Sequence, residues 1–190
     1  MHRRHLVLAC LALLAACNLS ERVDPLPDSV PGPHQILSYA VEPEDTEPDL
    51  TTGLETQYAY LPAEASARVG RLVIFIPGTF GQPQGYLRIV QAAAQYGYHA
   101  FGIAYQNDRP IGNYCGTTTD STCTERVLRE FFEGVDHSPE VEVTEAESFT
   151  NRIRQMLRHL DAAQPTEGWG NFLTTNGTPR WELISMGGHR

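Results

Sequence analysis

The sequence contains no lysine; all fourteen of its basic residues are arginine. That absence removes two reaction classes. A Walker-A phosphate loop needs its lysine on the phosphates, and a pyridoxal enzyme needs one for its Schiff base. Positive charge is short overall: 23 Asp and Glu against 14 Arg leave a formal net charge of −9 over 190 residues. Nucleic acid is therefore not an expected partner, because phosphate binding needs clustered positive charge. Long apolar runs are missing too. The stretch Leu6 to Ala16 would rise only about 16 Å as a helix, well short of the ~30 Å of a bilayer core. Cysteine is scarce, with four in all. Cys115 and Cys123, in NYCGTTTDSTCTER, have no histidine near them in sequence and fall short of the four ligands of a structural metal site, so no metal is expected. The turn GTFGQPQG lacks the G-x-G-x-x-G spacing of a dinucleotide site, and no cofactor is expected. No internal repeat is visible.

What is present begins with MHRRHLVLACLALLAAC. Arg3 and Arg4 give a charged start and the apolar run follows, which is the pattern of a targeting segment. Leu14-Ala15-Ala16-Cys17 resembles the lipobox of bacterial lipoproteins. The resemblance implies a signal peptide over 1–16, lipidation of Cys17 and a lipid anchor to a membrane; an ordinary secretory signal with an incidental cysteine is the alternative. Asn18 stands where an aspartate resembles an inner-membrane retention signal, so an outer-membrane anchor is expected, facing periplasm or exterior. Residues 17–33, rich in proline and aspartate, read as the lipidated cysteine and a flexible tether. In an exported chain, a lone pair such as Cys115 and Cys123 is expected to close a disulfide.

The domain is expected over 34–190. QILSYAV and ETQYAYL alternate well enough to be strands, with the acidic EPEDTEPD as a solvated connection between them. RLVIFIP is a continuous apolar run, which suggests a strand buried on both faces and hence a parallel sheet. YLRIVQAAAQYG puts Leu87, Val90 and Ala94 on one helical face, and YHAFGIAYQND is a second core strand, so the segment reads as β-turn-α-β. Thr122-x-x-Glu125 and Thr144-x-x-Glu147 have capping-box spacing. TERVLREFFEG groups Val127, Leu128, Phe131 and Phe132. EAESFTNRIRQMLRHLDAA groups Phe149, Ile153, Met156, Leu157 and Leu160, and both stripes read as core packing. TEGWGNFLTTNGTPR reads as a loop and WELISMGG as a final strand. The expected architecture is a three-layer α/β domain with helices flanking a mostly parallel sheet.

Sites in such sheets form at the carboxyl ends of strands. PGTFG has the character of an anion-binding turn, with glycines that allow close backbone approach and amides at Thr79 and Phe80 to meet negative charge. The ordered set IFIPGTFG, helix, GYHAFGIAYQND, paired cysteines, amphipathic helix and W-x-x-I-x-x-G-G-H resembles the α/β-hydrolase fold, and in particular exported bacterial serine hydrolases. The resemblance covers Arg71 to His189. It implies ester-type hydrolysis, an oxyanion turn at Gly78, Thr79 and Phe80, and a nucleophile elbow G-H-S-x-G opening at Gly188 and His189.

Arg190 occupies the position of the family's serine, and its protonated guanidinium is no nucleophile. In this fold acid and histidine follow the serine, so the chain reads as the amino-terminal portion of a hydrolase domain. It is expected to be inactive, marginally stable and aggregation-prone along the WELISMGG edge. An ester-like small-molecule substrate is expected only of a complete homologue. Ser185 reads as a strand residue, Ser121 and Ser138 as loop residues without a base, His99 as structural, and Asn107 and Asp108 as polar groups at a cleft edge. The second reading is a non-enzymatic, lipid-anchored binding or structural protein on part of a hydrolase scaffold.

Overall fold

Along Leu72–Ile76, Leu72, Ile74 and Ile76 meet one set of apolar neighbours, while Val73 and Phe75 meet another. A strand with apolar packing on both sides belongs inside a sheet, and the fold is built around it. The computed structural model describes residues 33–189; the expected signal segment over 1–16, Cys17 and Arg190 lie outside them. The described strands are β1 (Ile36–Val41), β2 (Gln57–Pro62), β3 (Leu72–Ile76), β4 (His99–Gly102) and β5 (Ile184–Gly188). The helices are α1 (Pro43–Thr46), α2 (Leu87–Gln95), α3 (Ile111–Tyr114), α4 (Cys123–Glu133) and α5 (Phe149–Ala163). Among the described residues no helix is long and apolar enough to cross a membrane.

The strands form one sheet in the order β1-β2-β4-β3-β5. β1 pairs antiparallel with β2, and β2 antiparallel with β4. β3 runs parallel to both β4 and β5. The expectation of a three-layer, mostly parallel sheet is thus corrected: the sheet is mixed, with as many antiparallel as parallel pairings. The physical reason is that an apolar run reports burial on two faces and says nothing of direction. β2 is buried along nearly its whole length although both its neighbours run against it.

One face carries Tyr60, Phe75 and Ala100 under Val90 and Ala94 of α2. The other carries Ala59, Leu61, Leu72, Ile74 and Phe101 under Ile153, Met156, Leu157 and Leu160 of α5. Each buried Val, Leu, Ile, Phe or Met side chain among these contributes about 1.5–3 kcal/mol by leaving water, which is why a period of 3.6 residues along α5 was readable.

Five local expectations need correction. Thr122 precedes α4 but does not cap it; its amide and hydroxyl both go to Asp120. Thr144 does not begin α5 either. Ser148 does, accepting from the Asn151 amide at 3.2 Å. Glu147 is instead drawn to the guanidinium of Arg152 and to Thr51 and Thr52, because a buried cation and several donors bind a carboxylate more strongly than one helix amide.

The stripe on α4 splits. Val127 and Phe131 are buried against Val143 and Tyr114, while Leu128 stays half exposed. The solvated connection EPEDTEPD contains the turn α1, whose neighbour Glu47 accepts from Asn151 and Gln155 on α5, each at 3.1 Å. Those bonds, the one from Asn151 foremost, hold the Glu47 carboxyl below the usual range.

The loop expected after α5 is partly core. Trp169 and Phe172 are fully buried in a 3-10 turn, Trp169–Phe172. Burying that indole requires a partner for its N–H, and Glu167 supplies one at 2.9 Å while also accepting from the Tyr39 hydroxyl. Burial first, and Glu167 beside it, push the Tyr39 phenol up to about 12.

Candidate active site

Because β3 and β5 run parallel in register, with Ile76 opposite Gly188, the turn that follows β3 and the His189 that follows β5 emerge at the same end of the sheet. Gly78 and His189 therefore meet. A Cβ on Gly78 would lie 3.0 Å from both Nδ1 and the carbonyl oxygen of His189, so no side chain larger than hydrogen fits without displacing the histidine. His189 is tied back by its amide, which donates to the Ile76 carbonyl at 3.1 Å. Its Nδ1 lies 3.0 Å from the hydroxyl of Tyr86, whose ring packs against Phe75 with centroids 4.9 Å apart.

The turn from Pro77 to Gly81 is held by residues just beyond β4. The Tyr105 hydroxyl donates to the Pro77 carbonyl at 2.9 Å. The Asn107 side-chain amide donates to the carbonyls of Gly78 and Gly81, at 3.0 and 2.7 Å. Burial raises the Tyr105 phenol above its ordinary value, which keeps it a donor. With its carbonyls so engaged, the turn directs amides outward.

Of the three expected oxyanion donors, Gly78 and Thr79 have amides with no acceptor among the described residues, and both residues line a cleft of about 710 Å³. Phe80 is different. Its amide donates to the Asn107 carbonyl at 2.8 Å and is spent. Its φ is +61°, the one positive value of a non-glycine among the described residues, and its ring is 72% exposed. A left-handed backbone costs an L-residue roughly 1–2 kcal/mol, and here it turns the chain so that Gly78 and Thr79, not Phe80, face the cleft.

The cleft is walled by Tyr105, by Pro110, Ile111 and Gly112, by Thr124 and Leu128 of α4, and by His189. Its two helical walls are joined at their near ends by the disulfide Cys115–Cys123, Cα to Cα 5.9 Å.

Beneath the site lies a buried ion pair absent from the sequence reading. Arg152, 2% exposed, meets Glu147. Its five N–H groups reach the Glu147 carbonyl and carboxylate and the carbonyls of Thr52, Gly53 and Ala104. Burial opposes the charge on Glu147, but the Thr51 amide, the Thr52 hydroxyl and Arg152 outweigh it and hold the carboxyl below its usual range. Gly53, at φ +52°, packs so closely on Tyr105 that a Cβ would lie 2.5 Å from its backbone. The pair thus clamps the segment that supplies Tyr105 and Asn107.

The remaining sequence candidates do not join the site. Ser185 is an exposed residue of β5 and Ser121 lies in the exposed disulfide loop. Ser138 is buried, with its amide on Glu130. Among the described residues no serine hydroxyl is hydrogen-bonded to a histidine. His99 is structural: 3% exposed, with Nε2 on the Glu167 carbonyl at 2.9 Å and its ring edge-on to Trp169 and Phe172. Asp108 lines a separate hollow of about 180 Å³ with Thr52, Gly53 and Glu55. Among the described residues no cluster of His, Cys, Asp and Glu is arranged to hold a metal ion.

Sequence reading missed Tyr86, Tyr105 and the Arg152–Glu147 pair. Their partners lie across strand ends rather than along the chain, and only the position of Asn107 after a core strand gave a signal. No family model and no curated protein matches the sequence.

Proposed function

We propose that this chain carries the oxyanion side of a serine-hydrolase site for ester-type bonds. The observation that supports it is the meeting of a turn and a strand end: the free amides of Gly78 and Thr79 on the turn, and Gly188-His189 at the end of β5. Two fixed donors beside the point where a nucleophile follows a strand are what acyl transfer uses to stabilise a developing oxyanion. Within the reading, Tyr105 and Asn107 position the turn and His189 shapes the cleft. Arg190 brings no nucleophile, so the 190 residues alone are catalytically silent, and export and lipid attachment at Cys17 belong to the same proposal.

The test reads the coding DNA past codon 190 in all frames, expresses the longest continuous product, and treats it and the 190-residue chain with a fluorophosphonate probe. Labelling of a serine in a G-x-S-x-G context of the longer product, with none on the 190-residue chain, is the expected result. Labelling of Ser121, Ser138 or Ser185 in the 190-residue chain overturns it, as does a longer product that takes no label.

A further inference from the structure

Leu128 sits on an amphipathic helix at the spacing of a core residue yet is 50% exposed. It lines the cleft together with Pro110 and Ile111, and Gly78 and Thr79 line the same cleft. None of the residues that line this cleft is Asp, Glu, Lys or Arg. Of the described arginines next in sequence to a lining residue, Arg109 lies over the Tyr114 ring, 4.7 Å from its centroid, and Arg129 pairs with Glu133 at 3.1 Å. A charged group entering such a cleft would lose water without meeting an opposite charge, which is costly, whereas an alkyl group would leave water against Ile111 and Leu128. The chain net charge of −9 adds a field that opposes anions.

The two halves of this wall are separate in sequence but fixed together. Residues 109–122 make hydrogen bonds only among themselves and to Cys123 and Arg126, among the described residues. Their hold on the fold is the packing of Tyr114, with Ile111 and Cys115 beside it, on Val127, Phe131 and Val143, and the disulfide to the first residue of α4. Ile111 therefore keeps its distance from Leu128 through a covalent staple and one small apolar cluster.

We propose that Ile111 and Leu128 are the specificity-determining wall of this cleft, selecting an uncharged molecule with a short alkyl group whose polar end meets the amides of Gly78 and Thr79. This rests on reading the cleft as an acyl site, and the test separates the two claims. The 15N-labelled 190-residue chain is titrated with acetamide, butanamide, hexanamide and hexylammonium while backbone amide shifts are followed. The expected result is saturable shifts at Ile111 and Leu128, affinity rising about fourfold per added methylene, and weaker binding of hexylammonium than of hexanamide. Leu128→Asp, at a half-exposed position, is expected to keep the fold and lose at least tenfold in hexanamide affinity. Ile89→Asp, on the exposed side of α2, is expected to leave it unchanged.

Equal affinity for all three amides overturns the proposal, as does binding unaffected by Leu128→Asp or shifts confined to the open face at Ser185 and Gly187. Shifts at Gly78 and Thr79 without chain-length dependence overturn it while leaving the oxyanion reading standing. Chain-length dependence with Gly78 and Thr79 silent supports the apolar wall and counts against the oxyanion reading.

Discussion

Replacing Arg152 by methionine tests whether the buried ion pair holds the fold together under the site. The methionine fills much of the space of the aliphatic stem but brings none of the five donors. The carbonyls of Thr52, Gly53 and Ala104 then lose their partner inside the protein, and Glu147 keeps a charge with only Thr51 and Thr52 to meet it. Breaking one side of a buried pair costs about 3–5 kcal/mol. For a chain of this size each kcal/mol moves Tm by roughly 2–4 °C, so the midpoint falls on the order of 6–20 °C.

Urea unfolding followed by far-UV circular dichroism gives the free energy directly. The double variant Glu147→Gln, Arg152→Met is expected to cost less than the two single changes summed, by about 1–3 kcal/mol, because both remove one interaction. The acid side has a definite sign. Glu147 is held below its ordinary 4.5 in the folded chain, so its stabilisation is present above that value and is lost as pH falls through the lower folded value. Arg152→Met should flatten that loss. A variant that unfolds within 1 kcal/mol of the parent, or strictly additive single changes, would refute the reasoning.

Three further outcomes follow from the same geometry. His99 is held below its ordinary 6.5, mainly by burial, so the unfolded chain takes up its proton first. Stability is then full above pH 6.5 and falls by up to about 1.4 kcal/mol per pH unit below it until the folded value is reached; His99→Phe should remove that slope in urea titrations across pH 4–8. Asn107→Ala leaves the carbonyls of Gly78 and Gly81 without their side-chain donor, and hydrogen exchange at Phe80 and Gly81 should quicken at least tenfold while the α5 amides keep their protection. Exchanging both Cys115 and Cys123 for serine releases a small closed loop worth about 2–3 kcal/mol on the chain-entropy model, read as a shift in the urea midpoint with the slope unchanged.

The sequence made the elements legible where a single periodicity set them. β3 and α5 bury what their spacing says they bury, and the disulfide forms between Cys115 and Cys123, the pair expected to close it. Strand direction was not legible, since the alternation of ETQYAYL and the apolar run of RLVIFIP report burial and not the sense of the neighbours, which differs between β2 and β3. The start of α5 was misplaced for a similar reason. Thr144 and Glu147 have the right spacing for a cap, but the pattern has no means of registering that Arg152 lies buried five residues on and takes the carboxylate.

The site divides along the same line. Its backbone donors were visible, because a strand ending in Pro-Gly has few things to do other than turn with its amides outward. What decides which amides are free was not. Phe80 looked as good a donor as Thr79 until the Asn107 carbonyl was found 2.8 Å from its amide. That bond, with two more from the Asn107 side chain, makes one residue after β4 responsible for both the shape of the turn and the choice of its donors. A site assembled this way depends on the relative position of β3 and β4, which α2 joins in sequence and the Arg152 clamp secures from the opposite face. Damage to that clamp should therefore reach the amides of Gly78 and Thr79 although Arg152 touches neither.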